Sequence, residues 1–305
     1  METLLFTATP FDRAAALRRD SAAMEYWRHP ARALVSVHWH GVSLLRHGRA
    51  LLAEGEEGQS LLGRADEVVF LGLMGERAAF AADLSSLPAG ADGLPPVRQP
   101  GDQWGELRAV GSNLSPEESC LLATGRALLN WHRSARFCGH CGAATQVREG
   151  GHVRACTNPA CAVLHYPRTD NAVIMRVTGA ERILLHRQPA WPAGMWSVLA
   201  GFVEPGETLE HAVAREVQEE TGILVADIAY GGSQPWPFPA SLMVGYTARA
   251  VGGELRPDPH ELEDARWFSR ADIAAQFDDA HRGGDGGCFL ARPGSIARKL
   301  IDDWL

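Results

Sequence analysis

Hydrophobic and polar positions along the chain predict strands in two separate regions. The first region contains short apolar or alternating runs at 33–40, 42–45, 50–54 and 67–74. The second region contains the runs AVIMRV, RILLHR, SVLAGF and LMVGYTARAV. Runs of this length bounded by turn residues are typical of strands in a sheet. The pattern therefore predicts a sheet near the N-terminus and strands that alternate with helices in the C-terminal half.

Helix signals occupy the segments between and after these strands. Ser115 and Glu118 form a capping box with proline at the first helical position, which predicts a helix through 117–135. A second helix is predicted near SIARKLIDDWL at the C-terminus. Two segments rich in glycine predict loops, at 87–102 and at 281–288.

The stretch GFVEPGETLEHAVAREVQEETGI, residues 201–223, predicts one further helix. Thr208 can cap its start and Gly222 can end it. Its apolar residues repeat at the spacing of one buried face: Leu209, Val213 and Val217. At about 100° per residue, Glu216 and Glu220 lie on that same face, with Glu219 beside them. The buried face therefore turns from apolar to acidic along the helix.

These three carboxylates need a positive partner. They repel one another, and they lie toward the C-terminal end, where the helix dipole also disfavours negative charge. A solvated acidic helix would carry lysines among its acids, but this helix has none. Hard divalent cations such as Mg²⁺ or Mn²⁺ prefer oxygen ligands and bind phosphates as well. The pattern therefore favours a metal site over an acidic surface.

The cysteines predict a second metal site. They occur as two pairs, FCGHCG and ACTNPAC, separated by fourteen residues: Cys138, Cys141, Cys156 and Cys161. Four thiolates from two such knuckles suit one tetrahedral zinc ion. A disulfide or redox pair is the competing interpretation, and zinc is favoured because the chain has no secretion signal. With four protein ligands the zinc would be structural, since no position is open for water.

Composition excludes several classes of protein. The chain has 305 residues, of which 46% are hydrophobic and 22% charged, which is ordinary for a soluble globular protein of two domains. No signal peptide and no apolar run of membrane-spanning length is present, so we expect a cytoplasmic protein without a membrane partner. The formal net charge of −8 argues against broad nucleic-acid binding, although a local basic patch would suffice for it.

Downstream of the acidic helix, SQPWPFPASLM (233–243) predicts a stiff aromatic loop. Its prolines cannot pair in a central strand, and Trp236 and Phe238 alternate with them. Such a loop can line a pocket for flat rings. It can equally be a rigid connection whose aromatic side chains pack into the core, and the residues alone do not separate the two.

The 201–223 stretch resembles the Nudix box of the Nudix hydrolases. That pattern is Gly, five residues, Glu, seven residues, Arg-Glu-aliphatic-any-Glu-Glu, any, Gly, aliphatic. The matching positions are Gly201, Glu207, Arg215, Glu216, Val217, Glu219, Glu220, Gly222 and Ile223. SQPWPFP followed by Ser241, the cysteine ribbon and HYPR at 165–168 further resemble the NAD(H) pyrophosphatase branch of these enzymes. The resemblance covers about residues 105–305 well and the first hundred by general layout.

This resemblance implies an α/β protein with three domains. These would be an N-terminal α+β domain (1–132), a small zinc ribbon (133–168) and a Nudix α/β/α sandwich with a mixed sheet (169–305). The implied assembly is a homodimer. The implied reaction is hydrolysis of the diphosphate of NADH or NAD⁺ to AMP and nicotinamide mononucleotide, reduced or oxidised. It would depend on Mg²⁺ or Mn²⁺, with more than one catalytic ion, and on one structural Zn²⁺.

The resemblance also implies roles for individual residues. Glu216 and Glu220 would be direct ligands of the catalytic metal, and Glu219 would be a ligand or the base that takes the proton of water. The carbonyl of Ala200 and the carboxylate of Glu261 would complete the ligands, with Glu263 as the fallback for Glu261. Glu207 and Arg215 would form an ion pair that orients the loop and the helix.

Substrate contacts are implied for one loop and for four further residues. The loop comprises Gln234, Pro235, Trp236, Pro237, Phe238, Pro239, Ala240 and Ser241. Phe202 and Tyr166 are candidates for stacking on nicotinamide. Ala297 and Arg108 match contact positions of the family less closely.

Two other functions stay open at this point. The first is removal of the NAD cap from RNA 5′ ends by the same bond cleavage, which requires an exit for RNA on the adenosine side of the pocket. The second is a noncatalytic nucleotide sensor or zinc-ribbon interaction protein built on a decayed Nudix domain. The intact Arg215, Glu216, Glu219 and Glu220 argue against decay.

Overall fold

The computed structural model describes residues 4–90, 93–95, 99–277 and 287–305. The loops predicted at 87–102 and 281–288 therefore lie partly outside the described residues. Contacts divide the chain into two compact units. The N-terminal unit comprises Leu5–Thr169 and Trp236–Ala240, and the C-terminal unit comprises Met1–Leu4, Asp170–Pro235 and Ser241–Leu305. The division into three domains stays a prediction.

The N-terminal unit contains a mixed sheet and several helices. Its first elements are α1 (Ser21–Arg28), β1 (Ala33–Trp39), β2 (Val42–Arg46), β3 (Arg49–Ala50), α2 (Gly55–Arg64), β4 (Glu67–Met74) and β5 (Arg77–Asp83). They are followed by β6 (Asp102–Glu106), α3 (Leu107–Val110) and α4 (Pro116–Ser134). The strand order is β3-β2-β1-β5-β4, and β6 pairs with β2. Strands β1 and β5 are parallel, with Val35 opposite Phe80, and the other pairs are antiparallel.

Helices cover both faces of this sheet. On one face, Val69 and Leu71 of β4 join a buried cluster with Leu121 and other α4 residues. On the opposite face, Phe70 lies in a cluster with Met24 of α1 and Leu61 of α2. Alternate side chains of β4 thus pack into different cores, because successive side chains of a strand point to opposite faces. The run at 67–74 is apolar throughout because both of its faces are buried.

A three-stranded antiparallel sheet follows α4 and carries the cysteine pairs. It comprises β7 (Thr145–Arg148), β8 (Val153–Cys156) and β9 (Leu164–His165), in the order β7-β8-β9.

Helix α4, which precedes this sheet, begins as predicted. Ser115 accepts the backbone N–H of Glu118, and the Glu118 side chain accepts the backbone N–H of Ser115.

The C-terminal unit has a mixed sheet of its own. Its elements are β10 (Asp170–Gly179), β11 (Arg182–Arg187), β12 (Met195–Trp196), β13 (Leu199–Phe202), α5 (Leu209–Thr221) and β14 (Ile223–Trp236). They continue with β15 (Ser241–Gly253), β16 (Asp264–Ser269), α6 (Arg270–Gln276), β17 (Phe289–Leu290) and α7 (Ile296–Asp302). The strand order is β14-β15-β10-β11-β16, with β13 paired to β10. Strands β10 and β15 are parallel, whereas β10 is antiparallel to β11 and β13.

Two cores lie on opposite faces of this sheet. Val173, Met175 and Val177 of β10 join α5 residues on one face. Ile174 of β10 joins residues of α6 and α7 on the other. The predicted α/β/α sandwich with a mixed sheet is therefore confirmed. No helix in the described residues is long and apolar enough to cross a bilayer.

One strand prediction and one loop prediction need correction. The run at 50–54 is a strand only at Ala50, with an isolated bridge at Ala53, because the chain turns there into α2. The loop predicted from residue 233 begins later, since β14 extends to Trp236. Proline is tolerated there because β14 is an edge strand, and an edge strand leaves some N–H groups without ladder partners in any case.

Candidate functional site

Helix α5 buries two of its three clustered acids. Thr208 caps the helix by accepting the backbone N–H of His211, and Gly222 ends it in the left-handed conformation at φ 73°. Glu216 and Glu220 are 9% and 3% exposed, whereas Glu219 faces solvent. Burial of carboxylates is costly unless they are paired or bind a cation. The helix therefore presents a partly desolvated acidic cluster.

The carboxylate of Glu216 lies directly against the backbone of Gly201 in β13. A Cβ atom at this position would lie 1.9 Å from Glu216 Cδ and 2.2 Å from either carboxylate oxygen. Only glycine leaves this space free. Ala200, the residue before Gly201, pairs with Ile174 of β10. Its carbonyl therefore lies in the same strand, β13, against which the Glu216 carboxylate packs. The requirement for glycine at 201 is thus a packing requirement of the acidic cluster.

Arg215 is the cation that binds most of these acids. Its Nε and Nη2 donate to the two oxygens of Glu207 at 2.8 and 3.0 Å. Its Nη1 donates to Glu216 and to Glu219, each at 2.9 Å. Hydrogen bonds from Arg215 lower the pKa of Glu207 to about 2. Arg215 also donates to the carbonyl of Phe202, so it ties the loop after β13 to the helix.

Glu220 has the most perturbed environment of the cluster. Burial and then the charges of Glu216 and Glu261 raise the pKa of Glu220 to about 8. One of its carboxylate oxygens is buried without a hydrogen-bond partner. A divalent cation would give this oxygen a partner, because carboxylate oxygens are ligands for such ions, and its charge would cancel the repulsion among the acids. The residues present thus fit a hard divalent metal ion.

The segment after β15 distinguishes Glu261 from Glu263. Burial raises the pKa of Glu216 and of Glu220, and the negative charge of Glu261 raises both further. Glu263 instead forms an ion pair with Arg187, with oxygen and nitrogen 3.1 Å apart. The structure therefore brings Glu261, and not the fallback Glu263, to the acidic cluster.

Asp258 was missed by the sequence analysis. Its backbone N–H donates to the carbonyl of Glu220 at 2.9 Å, and its own carbonyl accepts the N–H groups of Glu261 and Leu262. The turn thereby satisfies an otherwise unpaired carbonyl at the end of α5 and presents Glu261. The acidic segment DPHELEDARWF indicated that one of its carboxylates lies near the acidic helix. Backbone hydrogen bonds decide which of its residues forms the turn, and no sequence pattern indicates those bonds.

The four cysteines of the N-terminal unit form a compact sulfur cluster. Their ligand atoms all lie within 4.8 Å of one another. The Sγ atoms of Cys138 and Cys161 are 3.8 Å apart, and those of Cys141 and Cys156 are 3.5 Å apart. A tetrahedron with zinc–sulfur bonds of about 2.3 Å has edges of roughly 3.8 Å. The cluster therefore fits one tetrahedral zinc ion, and the longer second knuckle does not prevent this.

The predicted substrate loop divides at Pro235. Gln234 is fully buried in the C-terminal unit, where its Nε2 donates to Gly294 O at 2.9 Å and its Oε1 accepts the N–H of Ile296 at 2.8 Å. These bonds position the start of α7 and hence the buried Ala297. From Trp236 to Ala240 the loop belongs to the N-terminal unit. Gln234 thus supports the loop from within the core.

The remaining candidates differ in exposure. Trp236 and Phe238 are half-buried and pack against the α4 core of the N-terminal unit, whereas Pro235 and Pro239 are exposed. Arg108 is exposed, with its guanidinium 5.6 Å from the centre of the Trp236 ring system. Phe202 and Tyr166 are 61% and 60% exposed, which is unusual for large aromatic side chains and leaves their ring faces accessible.

Comparison with known proteins agrees with this architecture. The chain matches the model of the NUDIX domain over residues 167–285 and that of the NADH pyrophosphatase-like rudimentary NUDIX domain over 32–131. It also matches the NADH pyrophosphatase zinc ribbon domain over 133–166.

Several curated proteins are similar. The chain is 39% identical over 305 residues to the NAD-capped RNA hydrolase NudC of Mycobacterium bovis, with 96% of this chain and 92% of that protein covered. It is 42% identical over 200 residues to the human NAD-capped RNA hydrolase NUDT12, with 63% of this chain covered. The match spans only 43% of the human protein's length. A crystal structure of a NUDIX hydrolase from Nitrosomonas europaea is 26% identical, with a TM-score of 0.40, over 45% of this chain and 80% of that one.

A mixed sheet between helix layers, an acidic helix packed over a strand glycine and a four-cysteine ribbon are thus combined in one chain. The chain belongs to the Nudix hydrolases, within the family that has NADH pyrophosphatase-like rudimentary and zinc ribbon domains.

Proposed function

We propose that the protein hydrolyses the diphosphate bond of NADH or NAD⁺ and releases AMP with nicotinamide mononucleotide. The observation that carries this proposal is the buried acidic cluster of α5, where one oxygen of Glu220 has no partner and Glu216 lies against Gly201. Such a cluster suits divalent cations that bind a diphosphate. The NADH pyrophosphatase names of the matching N-terminal and ribbon models support the choice of substrate.

Each acid in the site has a proposed role. Glu216, Glu220, Glu261 and the carbonyl of Ala200 hold Mg²⁺ or Mn²⁺, with more than one ion in the site. When bound, these ions neutralise the diphosphate and lower the pKa of water. Glu219 is the exposed member of the cluster, so it can accept the proton of the attacking water or serve as a further ligand. The ion pair of Glu207 and Arg215 orients the loop after β13 relative to helix α5.

Recognition of the nucleotide is assigned to the aromatic and loop residues. Phe202 and Tyr166 expose ring faces for stacking on nicotinamide. Residues 235–241 are assigned to the substrate, with the buried Gln234 as the support of this loop, and Arg108 and Ala297 are secondary contacts. One zinc ion on the four cysteines holds the ribbon that carries Tyr166. A homodimer located in the cytoplasm completes the proposal, and light scattering of the purified protein tests the dimer.

A second candidate function is removal of the NAD cap from RNA. It is supported by the similar proteins NudC and NUDT12, both of which are named NAD-capped RNA hydrolases. The bond cleaved and the acids required are the same. The two functions differ only in whether an RNA chain can leave the site on the adenosine side.

Product analysis tests the proposal. Purified protein is incubated with Mg²⁺ or Mn²⁺ and, separately, with NADH, NAD⁺, ADP-ribose and an NAD-capped RNA, and the products are separated by liquid chromatography. We expect AMP and mononucleotide from NADH or NAD⁺, and none from the Glu219→Gln variant. Preferential cleavage of capped RNA would select the second function. Cleavage of no substrate with either metal would refute both and leave a nucleotide-binding protein.

A further inference from the structure

The tip of the predicted substrate loop, Trp236–Ala240, is held by aromatic contacts of the N-terminal unit. The Trp236 and Phe238 rings meet edge to face at 5.2 Å between centroids. Phe6 contacts both, at 6.3 Å and 6.0 Å. All three rings pack on the apolar core that α4 shares with the sheet. The loop tip is therefore shaped by the N-terminal unit, although Pro235 and Ser241 on either side belong to the other unit.

The backbone of this tip has few donors with which to hold itself. Between residues 235 and 239, only Trp236 and Phe238 have an N–H group, because the other residues are prolines. The N–H of Phe238 is used within the tip, on the carbonyl of Trp236 at 2.7 Å. Hydrogen bonds within the tip are therefore few, and donors from elsewhere in the unit can bind its free carbonyls.

Arg126 of α4 supplies such a donor. Its Nε donates to the carbonyl of Pro237 at 2.9 Å, and its Nη1 donates to the carbonyl of Gly41 in the turn between β1 and β2. Its guanidinium carbon lies 5.0 Å from the centre of the Phe238 ring. Pro237 itself is buried, whereas Pro235 and Pro239 on either side are exposed. One side chain thus joins the middle of the tip to the sheet and to an aromatic ring.

Carbonyl oxygens, rather than a carboxylate, are the partners of Arg126. No carboxylate in the described part of the chain forms an ion pair with it, and its hydrogen bonds go to carbonyl oxygens. Burial lowers its pKa, and the charge of Glu106 only partly opposes that effect. A half-buried charge without an ion-pair partner is costly for stability. By contrast, Arg133, two turns further along α4, is exposed and pairs with Asp83.

We propose that Arg126 is a positioning residue for the nucleotide substrate, because it fixes the conformation of the Trp236–Ala240 tip through the carbonyl of Pro237 and the ring of Phe238. This inference rests on the proposed function in assigning the loop to the substrate. Arg126 acts through the loop, so its loss weakens substrate binding more than it slows the chemical step.

Three substitutions and one matched control test it. Arg126→Met keeps the length of the side chain and removes the charge and every donor. Arg126→Lys keeps the charge but cannot reproduce the fork that binds two carbonyls. Gly41→Ala keeps the arginine but puts a Cβ 2.7 Å from its Nη1, so that the guanidinium must move, and the φ of 86° at Gly41 also strains the turn. Arg133→Met is the control, since it removes a cation of the same helix that pairs with Asp83 and not with the loop.

Two measurements are made on each variant. Steady-state kinetics with NADH separate KM from kcat, and hydrogen exchange of the peptides around 233–245 is followed by mass spectrometry without substrate. For Arg126→Met we expect KM to rise about tenfold, as for one lost charge-assisted hydrogen bond, with kcat within about twofold. The Trp236 and Phe238 amides should exchange about tenfold faster, while the α5 peptides are unchanged. Arg126→Lys and Gly41→Ala should be intermediate, and Arg133→Met should match the wild type.

The outcomes separate this inference from the proposed function. Unchanged KM together with unchanged exchange at Trp236 and Phe238 would overturn it. Faster exchange spread over the whole N-terminal unit would also overturn it, because Arg126 would then be a general stabiliser. If Arg126→Met does not fold, Arg126→Lys and Gly41→Ala decide by the same two measurements. If the wild type cleaves no dinucleotide, the proposed function fails, and the exchange data still decide whether Arg126 fixes the loop.

Discussion

The two units share a layered architecture, but only the C-terminal unit buries carboxylates in its principal helix. In the N-terminal unit a parallel pair, β1 and β5, lies within a mixed sheet whose faces are covered by helices. In the C-terminal unit the parallel pair is β10 and β15. Helix α4 buries leucines with Ser119 and His132, whereas α5 buries valines with Glu216 and Glu220.

This difference separates what a fold requires from what a catalytic site requires. Both sheets are held by burial of apolar side chains on two faces, and that requirement is met equally well with or without acids. The carboxylates of α5 add repulsion and desolvation, which Arg215 offsets only in part. The family model that matches residues 32–131 is called rudimentary, in agreement with a sheet that kept its core but carries no such acids on α4. Substitutions in the apolar core or the cysteine cluster of the N-terminal unit should therefore alter stability, and those at the acids of α5 should alter turnover.

The largest effect is expected in the N-terminal unit. Replacing Cys138 with Ser removes one of four zinc ligands, and structural zinc contributes on the order of 10 kcal/mol to small zinc domains. We expect zinc content to fall from one ion per chain to nearly none and the unfolding temperature to drop with it. Zinc analysis and calorimetry measure both. Cys120→Ser, outside the cluster, should keep its zinc, and a well-folded Cys138→Ser protein without metal would contradict the structural role.

The second effect belongs to the acidic helix. Glu219→Gln should lower kcat at least about a hundredfold, which corresponds to about 2.7 kcal/mol in the barrier, without a loss of stability. The fold should tolerate the change because the Glu219 side chain is 62% exposed. Glu117→Gln, an exposed acid in the first turn of α4, is the matched control and should leave kcat unchanged. Near-normal turnover of Glu219→Gln would remove this residue from the chemistry.

A smaller effect is expected where strand and helix meet. Gly201→Ala places a Cβ where the Glu216 carboxylate lies, so the carboxylate must move away from β13. We expect kcat to fall by at least about tenfold, measured at saturating NADH and metal. Gly252→Ala in β15 is the control, because a Cβ there comes no closer than 3.8 Å to the nearest side chain. Equal rates for the two variants would mean that Glu216 does not need its observed position.

The smallest effects distinguish two nearby acids. Glu261→Gln should lower kcat/KM about five- to tenfold, because it removes a carboxylate from the cluster around Glu220. Glu263→Gln removes an ion pair with the largely buried Arg187, outside the acidic cluster, so a change in kcat/KM below about twofold is expected. Titration of Mn²⁺ against activity would show weaker metal binding for Glu261→Gln alone. The reverse ranking would transfer the ligand role to Glu263.

Much of the site follows from side-chain pattern. The limits of α5, its caps at Thr208 and Gly222, and its acidic face are all readable from residues 201–223, because a helix repeats at a known angle. The cysteine spacing likewise predicted the sulfur cluster. The runs at 33–40, 67–74 and 182–187 correspond to β1, β4 and β11 within a residue at their ends. Local periodicity and capping are sufficient in each of these cases.

Other features were not readable in this way. The sequence left open whether Trp236 and Phe238 line a pocket or pack into the core, and their half-burial against the α4 core depends on residues more than a hundred positions earlier. The position of Glu261 near the acidic cluster depends on the backbone turn at Asp258, and that of Glu263 depends on its ion pair with Arg187. The assignment of 50–54 to a strand was wrong because apolar residues also precede helices.

By itself, the sequence determined helix α4, the acidic helix α5, most of the longer strands and the zinc-binding cysteines. These depend on the order of neighbouring residues and on the fixed geometry of helices, strands and knuckles. Only the tertiary structure decided that Glu216 needs the bare backbone of Gly201, that one oxygen of Glu220 is buried without a partner, and that Arg126 reaches Pro237. Those contacts join segments that are distant in the chain, and their energies come from burial and electrostatics that exist only after the segments have packed together.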